Sequence, residues 1–185
     1  MKTETRQTGD FSRIEATAGI GVIVQIGPAQ PLEVRAQANI LPVIATDVED
    51  GTLRIHSTSA YTSTEPVEVR VVTPSLDGIS MSGGSQGSVT GLQAEALDIE
   101  VNGGGGVTAK GTVSKLNLAV NGGGRTGFDD LVARSVALDL SGGATATVHA
   151  SEQVNGTASG GSTVTVLGNP QVNVQTSGGS SVARG

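Results

Sequence analysis

Cysteine and tryptophan are absent from this 185-residue chain, and aromatic side chains make up only 2% of it, in Phe11, Tyr61 and Phe128. Without cysteine there is no disulfide, no thiolate metal site and no cysteine nucleophile. So few aromatics leave little material for a carbohydrate site built on ring stacking, and any core must come from Val, Ile, Leu and Ala. Basic residues are scarce too: 11 Lys and Arg face 17 Asp and Glu, a net charge of −6 with no basic run. That excludes a phosphate-attracting nucleic-acid surface and works against simple attraction to anionic lipid headgroups. Nowhere do 18 apolar residues follow one another, and the opening MKTETRQTGDF has no apolar segment. These residues therefore hold neither a membrane span nor a signal peptide, and export would require a leader not among them.

Catalytic material is equally thin. His56 and His149 are the only imidazoles, far apart in sequence and without metal-ligand spacing such as HExxH. Asp129 and Asp130 are adjacent carboxylates of the type used in pairs by polysaccharide-cleaving enzymes. Neighbours on a strand point to opposite faces, so this pair reads as an acidic turn. No serine lies in a GxSxG elbow. The calcium nonapeptide GGxGxDxUx is not matched, because no Asp recurs after the glycine pairs. Thr145 with Thr147 and Thr163 with Thr165 form a TxT pair repeated after 18 residues, a pattern that also suits ordered water but is ordinary for a strand surface. The expectation is no catalytic residue, no cofactor and no metal.

What is abundant is glycine, 28 residues, and it is periodic. Ser82-Gly83-Gly84, Asn102-Gly103-Gly104, Asn121-Gly122-Gly123, Ser141-Gly142-Gly143, Ser159-Gly160-Gly161 and Ser177-Gly178-Gly179 recur at spacings of 20, 19, 20, 18 and 18 residues. A period of that size marks one supersecondary unit stacked on itself. Ahead of each triplet, alternate positions line up. One before stand Met81, Val101, Val120, Leu140, Ala158 and Thr176; three before, Ile79, Ile99, Leu118, Leu138, Gly156 and Val174; five before, Asp77, Leu97, Leu116, Val136, Val154 and Val172. Between them Ser80, Glu100, Ala119, Asp139, Thr157 and Gln175 are polar or small, the period-two signature of a strand with one buried face. After the glycines an apolar position recurs at Val89, Val107, Phe128, Val148, Val164 with Val166, and Val182.

Units this short hold two or three strands, one circuit of a coil. The expected fold is all-β, a right-handed parallel β-helix or β-solenoid with circuits of 18–20 residues. The Ser/Asn-Gly-Gly triplets are its structural turns, with glycine supplying positive φ and Asn tolerating the left-handed conformation. The NGGGG run at 102–106 is a corner and not a phosphate cradle, since no helix follows it.

The first part differs. Alternation is clear in Val22, Val24, Ile26 and in Val67, Val69, Val71, but the glycine pair is missing. Asp50-Gly51 signals a two-residue hairpin, and NILPVIATDV holds at most a helical turn because of Pro42. The expected organisation is a flexible N-terminus over 1–10, a β capping layer over 11–75 and glycine-rich solenoid over 76–185. The last coil, followed here by SSVARG, is expected to expose an open edge that is covered by self-association or, in a longer native chain, by further sequence.

FSRIEATAGIGVIVQIG, NILPVIATDVEDGTLRIHS, VEVRVVTPSLDGISMSGGS and the recurring S/N-GG circuits resemble the bacterial family described as "putative auto-transporter adhesin, head GIN domain", from about Phe11 to Ala183. The most specific parts are P-x-L-x-x-I-x-x-S-G at Pro74 to Gly83 and the repeated Ser-Gly-Gly, from which Asn102 and Asn121 depart. The resemblance implies an exported or lipid-anchored β-helical envelope protein and brings no catalytic residues. The functional expectation is a non-enzymatic surface or periplasmic interaction module, adhesin-like, with an unknown glycan or protein ligand. A self-assembling structural solenoid polymer is the alternative, and a polysaccharide-active β-helix enzyme the second.

Overall fold

The computed structural model describes residues 1–185. Its strands are β1 (Lys2–Arg6), β2 (Arg13–Ala16), β3 (Gly21–Ile26), β4 (Leu32–Ala36), β5 (Ile44–Glu49), β6 (Thr52–Ser57), β7 (Glu68–Thr73), β8 (Gly78–Met81), β9 (Gln86–Asn102), β10 (Gly106–Asn121), β11 (Arg125–Ser141), β12 (Thr145–Ala158), β13 (Thr163–Gly168), β14 (Gln171–Thr176) and β15 (Ser181–Arg184). The one helical piece is a 3₁₀ turn at Leu41–Val43, where Pro42 stops a longer helix. The protein is an all-β solenoid.

Each rung runs into a glycine corner and out again. Alternate strand residues before and after a corner point inward, which is why the apolar ladders of the sequence become the core. Ile79, Ile99, Leu118 and Leu138 stack in one row, Met81, Val101, Val120 and Leu140 in the next, all buried. Every rung pairs in parallel with the one before, as Leu116↔Val136 and Leu118↔Leu138 show for β10 and β11. The long strands β9, β10 and β11 are continuous because the exit of one corner is also the approach to the next.

The register sorts residues that spacing alone had merged. Val89, Val107, Phe128 and Val148 do not share a row. Val107 lies opposite Gly87 and Thr126, and through Thr126 opposite Ala146, whereas Val89 pairs with Ala109 and Val148 with Val166. Asp77, counted in the fifth row before the corner, is exposed, and Leu76 takes the buried place instead.

Residues 1–75 join the stack more deeply than a covering layer would. β2 pairs in parallel with both β6 and β8, and β3 with both β7 and β9. The segment Arg13–Ile26 is therefore a rung whose corner uses Ala18 and Gly19 at positive φ in place of Gly-Gly. The later segment Thr52–Thr73 is the rung outside it. The cap itself consists of antiparallel strands: β5 on β6 through the Asp50-Gly51 hairpin, β4 on β7, and β1 on β4. Residues 2–6 are thus an edge strand and not a flexible tail, because Thr3, Thr5 and their neighbours pair with Leu32–Ala36.

Candidate functional site

The Gly-Gly corners are built for close approach. At Gly160, φ is +67° and a Cβ would fall 2.8 Å from the nitrogen of Gly142 one rung below, so no side chain fits. The two Asn corners work differently from expectation. Asn102 and Asn121 do not take the left-handed conformation; Gly103 and Gly122 do. The Asn side chains are released to bond along the stack. Asn121 Nδ2 donates to Asn102 Oδ1 at 3.1 Å, Ser141 Oγ donates to Asn121 Oδ1 at 2.8 Å, and Asn102 Nδ2 donates to Glu100 Oε1 at 2.7 Å.

This ladder borders a groove of about 450 Å³ on the outer face of the sheet formed by β2, β8 and the pre-corner halves of β9 to β12. Its walls are two outward rows two residues apart on each strand. One row is Arg13, Gly78, Asp98, Asn117, Ala137 and Asn155; the other includes Ser80, Glu100, Ala119 and Asp139. Between them Ile14, Ile79, Ile99, Leu118 and Leu138 send their side chains into the core and floor the groove with main chain. Gly78, Ala119 and Ala137 keep it open.

The polar groups are fixed by one another. A Cβ on Gly78 would lie 2.6 Å from Cζ of Arg13, so glycine there lets the guanidinium cross to Asp98, where Nη1 lies 3.3 Å from Oδ2. Asn117 Nδ2 donates to Asp98 Oδ1 at 2.7 Å. That hydrogen bond, aided by Arg13, holds the Asp98 carboxyl below its ordinary range. One rung beyond, Thr157 Oγ1 donates to Asp139 Oδ1 at 2.8 Å.

The residues weighed for catalysis do not converge. Asp130 pairs with Lys110 at 2.9 Å, raising the ammonium pKa through that hydrogen bond. Asp129 is exposed, and only its main-chain oxygen meets His149 Nδ1, at 3.0 Å. His56 sits on β6 beside Asp47, 4.0 Å away, many rungs from His149 on β12. Thr145 and Thr147 pair in register with Thr163 and Thr165, a two-rung hydroxyl patch on the other outer face. No cluster of three or more His, Cys, Asp or Glu is placed to hold a metal.

Spacing had singled out Ser80, Glu100, Ala119 and Asp139 only as the polar counterpart of a buried ladder. The second row was missed. Its signal was present four residues before each corner, where Gly78, Asp98, Asn117, Ala137 and Asn155 recur.

A family model described as "Putative auto-transporter adhesin, head GIN domain" matches residues 10–170. No curated protein matches the chain in sequence. Among solved structures, a "putative adhesin" from Bacteroides fragilis is similar at 18% identity and a TM-score of 0.76, covering 99% of this chain and 96% of its own. A "putative adhesin" from Parabacteroides distasonis matches at 15% identity and a TM-score of 0.63, over 100% of this chain and 96% of that one. A "putative lipid binding protein" from the same species matches at 16% identity and a TM-score of 0.60, with the same coverage. Identities this low establish a shared fold. No helix is long and apolar enough to cross a membrane.

Proposed function

The chain belongs to the family described as "putative auto-transporter adhesin, head GIN domain", and from that premise we propose that it is a non-enzymatic, adhesin-like interaction module of the bacterial cell envelope, exported to the periplasm or cell surface. The observation that carries this reading is the outer face of the β8–β12 sheet. Its side chains are hydrogen-bonded to one another from rung to rung, as Asn102, Asn121 and Ser141 are, so a partner meets groups already ordered. Rigid groups lose little entropy on binding. The partner is a glycan, a matrix component or another protein at a surface.

Beads coated with the chain test it. They should adhere to bacterial cells, mucin or extracellular matrix more strongly than beads carrying an unrelated β-solenoid, without depleting any polysaccharide in the medium. Equal adherence of both bead types would overturn the reading. Polysaccharide cleavage abolished by Asp129→Asn with Asp130→Asn would replace it with the enzymatic one.

Self-association is a second reading, favoured by the last rung. Val172, Val174 and Val182 point inward on β14 and β15 yet stay half-buried. A second copy laid on these strands would finish their burial, while the antiparallel cap at the other end blocks head-to-tail polymerisation. Light scattering over a wide concentration range should then give a defined small oligomer; a strict monomer would count against it.

A further inference from the structure

The groove between the two outward rows has a shape and a chemistry that narrow its occupant. It spans consecutive rungs from Arg13 on β2 to Asn155 on β12, about 24 Å along the stacking axis at about 4.8 Å per rung. It is straight, shallow and only two residues wide. We propose that it binds a linear glycan free of acidic groups, lying along the solenoid axis with one sugar ring per rung. This deepens the adhesin-like reading by naming its ligand class and site.

The donors and acceptors match a polyol. Glu100 and Asp139 each have one oxygen held by a neighbour, Asn102 and Thr157 respectively, whereas both oxygens of Asp98 are taken, by Asn117 and Arg13. Glu100 and Asp139 both line the groove on either side of Ala119, two rungs apart in one row, and the second oxygen of each makes no hydrogen bond within the protein. Ala119 and Ala137 put methyl groups between these acceptors, surface suited to the C–H face of a pyranose. Asn155 adds an amide that both donates and accepts, as sugar hydroxyls do. Each acceptor is oriented before the ligand arrives, so hydrogen bonding costs little ordering.

The same features exclude other partners. Carboxylates outnumber Arg13, which Asp98 already neutralises, so sulfated, phosphorylated or uronic chains are repelled. The floor strands are interior to the sheet, and their main-chain groups are spent in the ladders on both sides. A peptide therefore finds no strand edge to extend. With no aromatic residue in the groove, each ring is held weakly, so affinity must accumulate with chain length.

Calorimetric titration with cello-, manno- and chito-oligosaccharides of two to six rings, alongside oligogalacturonates of the same lengths, tests the proposal. At least one neutral series should tighten with each added ring until the groove is filled, at about five to six rings, and change little between low and high salt. Ala119→Phe plugs the groove from an outward position and should weaken binding at least tenfold with an unchanged melting temperature. Thr147→Phe on the other outer face should leave it unchanged. Failure of every neutral series at millimolar concentration, preference for the galacturonates, or binding unaltered by Ala119→Phe would overturn the assignment. Bead adhesion scored in parallel separates the two readings: adhesion that survives Ala119→Phe sinks the groove alone, whereas glycan binding without any bead adhesion sinks the adhesin-like role and leaves the groove standing.

Discussion

Gly160 and Gly161 occupy the same corner, both at positive φ, but only Gly160 lies against the backbone of the rung below, and a Cβ on Gly161 would meet nothing within 4 Å. Gly161→Ala should therefore cost about 1 kcal/mol, the ordinary strain of a left-handed alanine. Gly160→Ala adds displacement of Gly142 and should cost about 2–3 kcal/mol in all; urea melts of the two variants read the difference directly. Thr126 presents the opposite situation. Its Oγ1 is buried without a hydrogen-bond partner, in a row otherwise filled by Val107, Ala146 and Val164. Thr126→Val should stabilise the fold by about 1 kcal/mol, because it removes an unsatisfied hydroxyl and keeps the shape. Asp98 links stability to pH. Its folded pKa lies below the ordinary carboxylate value, so the unfolded chain binds the proton more readily. The contribution is present above the ordinary carboxylate range and is lost as pH falls through the depressed folded value. Asp98→Asn should flatten the acid side of a melting-temperature profile between pH 7 and 3, by a small amount because the carboxylate is half exposed.

At the scale of the element, a rung is held by its inward residues and by the fit of those residues to the rungs beside it. Phe128, the largest fully buried side chain, follows Gly127 on β11, the last residue paired with Thr108 and Thr147 before both ladders shift register. Phe128→Ala should destabilise by about 3–5 kcal/mol, since the rungs on both sides are tied into their own ladders and do not collapse into the cavity. The sequence showed Phe128 as inward-facing. It did not show which valine it meets, because the distance from corner to strand varies by a residue or two among units. Successive units slip at this bend: the ladder from β10 to β11 is interrupted between Thr108 and Gly111, and that from β11 to β12 between Gly127 and Val132. A slip of one residue turns a strand over, so a ladder is only as legible as its register.

For the whole molecule, the order of rungs is not the order of the sequence. The segment Arg13–Ile26 is inserted between the later segment Thr52–Thr73 and the strands that follow residue 77. Two rungs close in sequence to the N-terminus are thus completed only after the chain has turned back through β4 and β5. Amide exchange should follow position in the stack and not position in the chain. β2, β3, β9, β10 and β11, covered on both sides, should exchange slowest, and β14 and β15 fastest. Early exchange of β2 and β3 together with β1 would contradict the insertion.

The sequence by itself determined the solenoid, the inward rows that begin at Ile79 and Met81, and the Asp50-Gly51 hairpin. Each is written in a local period or in a dipeptide with its own conformational preference, and neither needs a distant partner to be recognised. Tertiary structure alone decided the insertion of Arg13–Ile26 among later rungs, the recruitment of Lys2–Arg6 as an edge strand, and the groove. Those features depend on which strands pair and in what register. Asp98, Asn117 and Ala137 lie 19 and 20 residues apart in the chain and become one wall only when three rungs align.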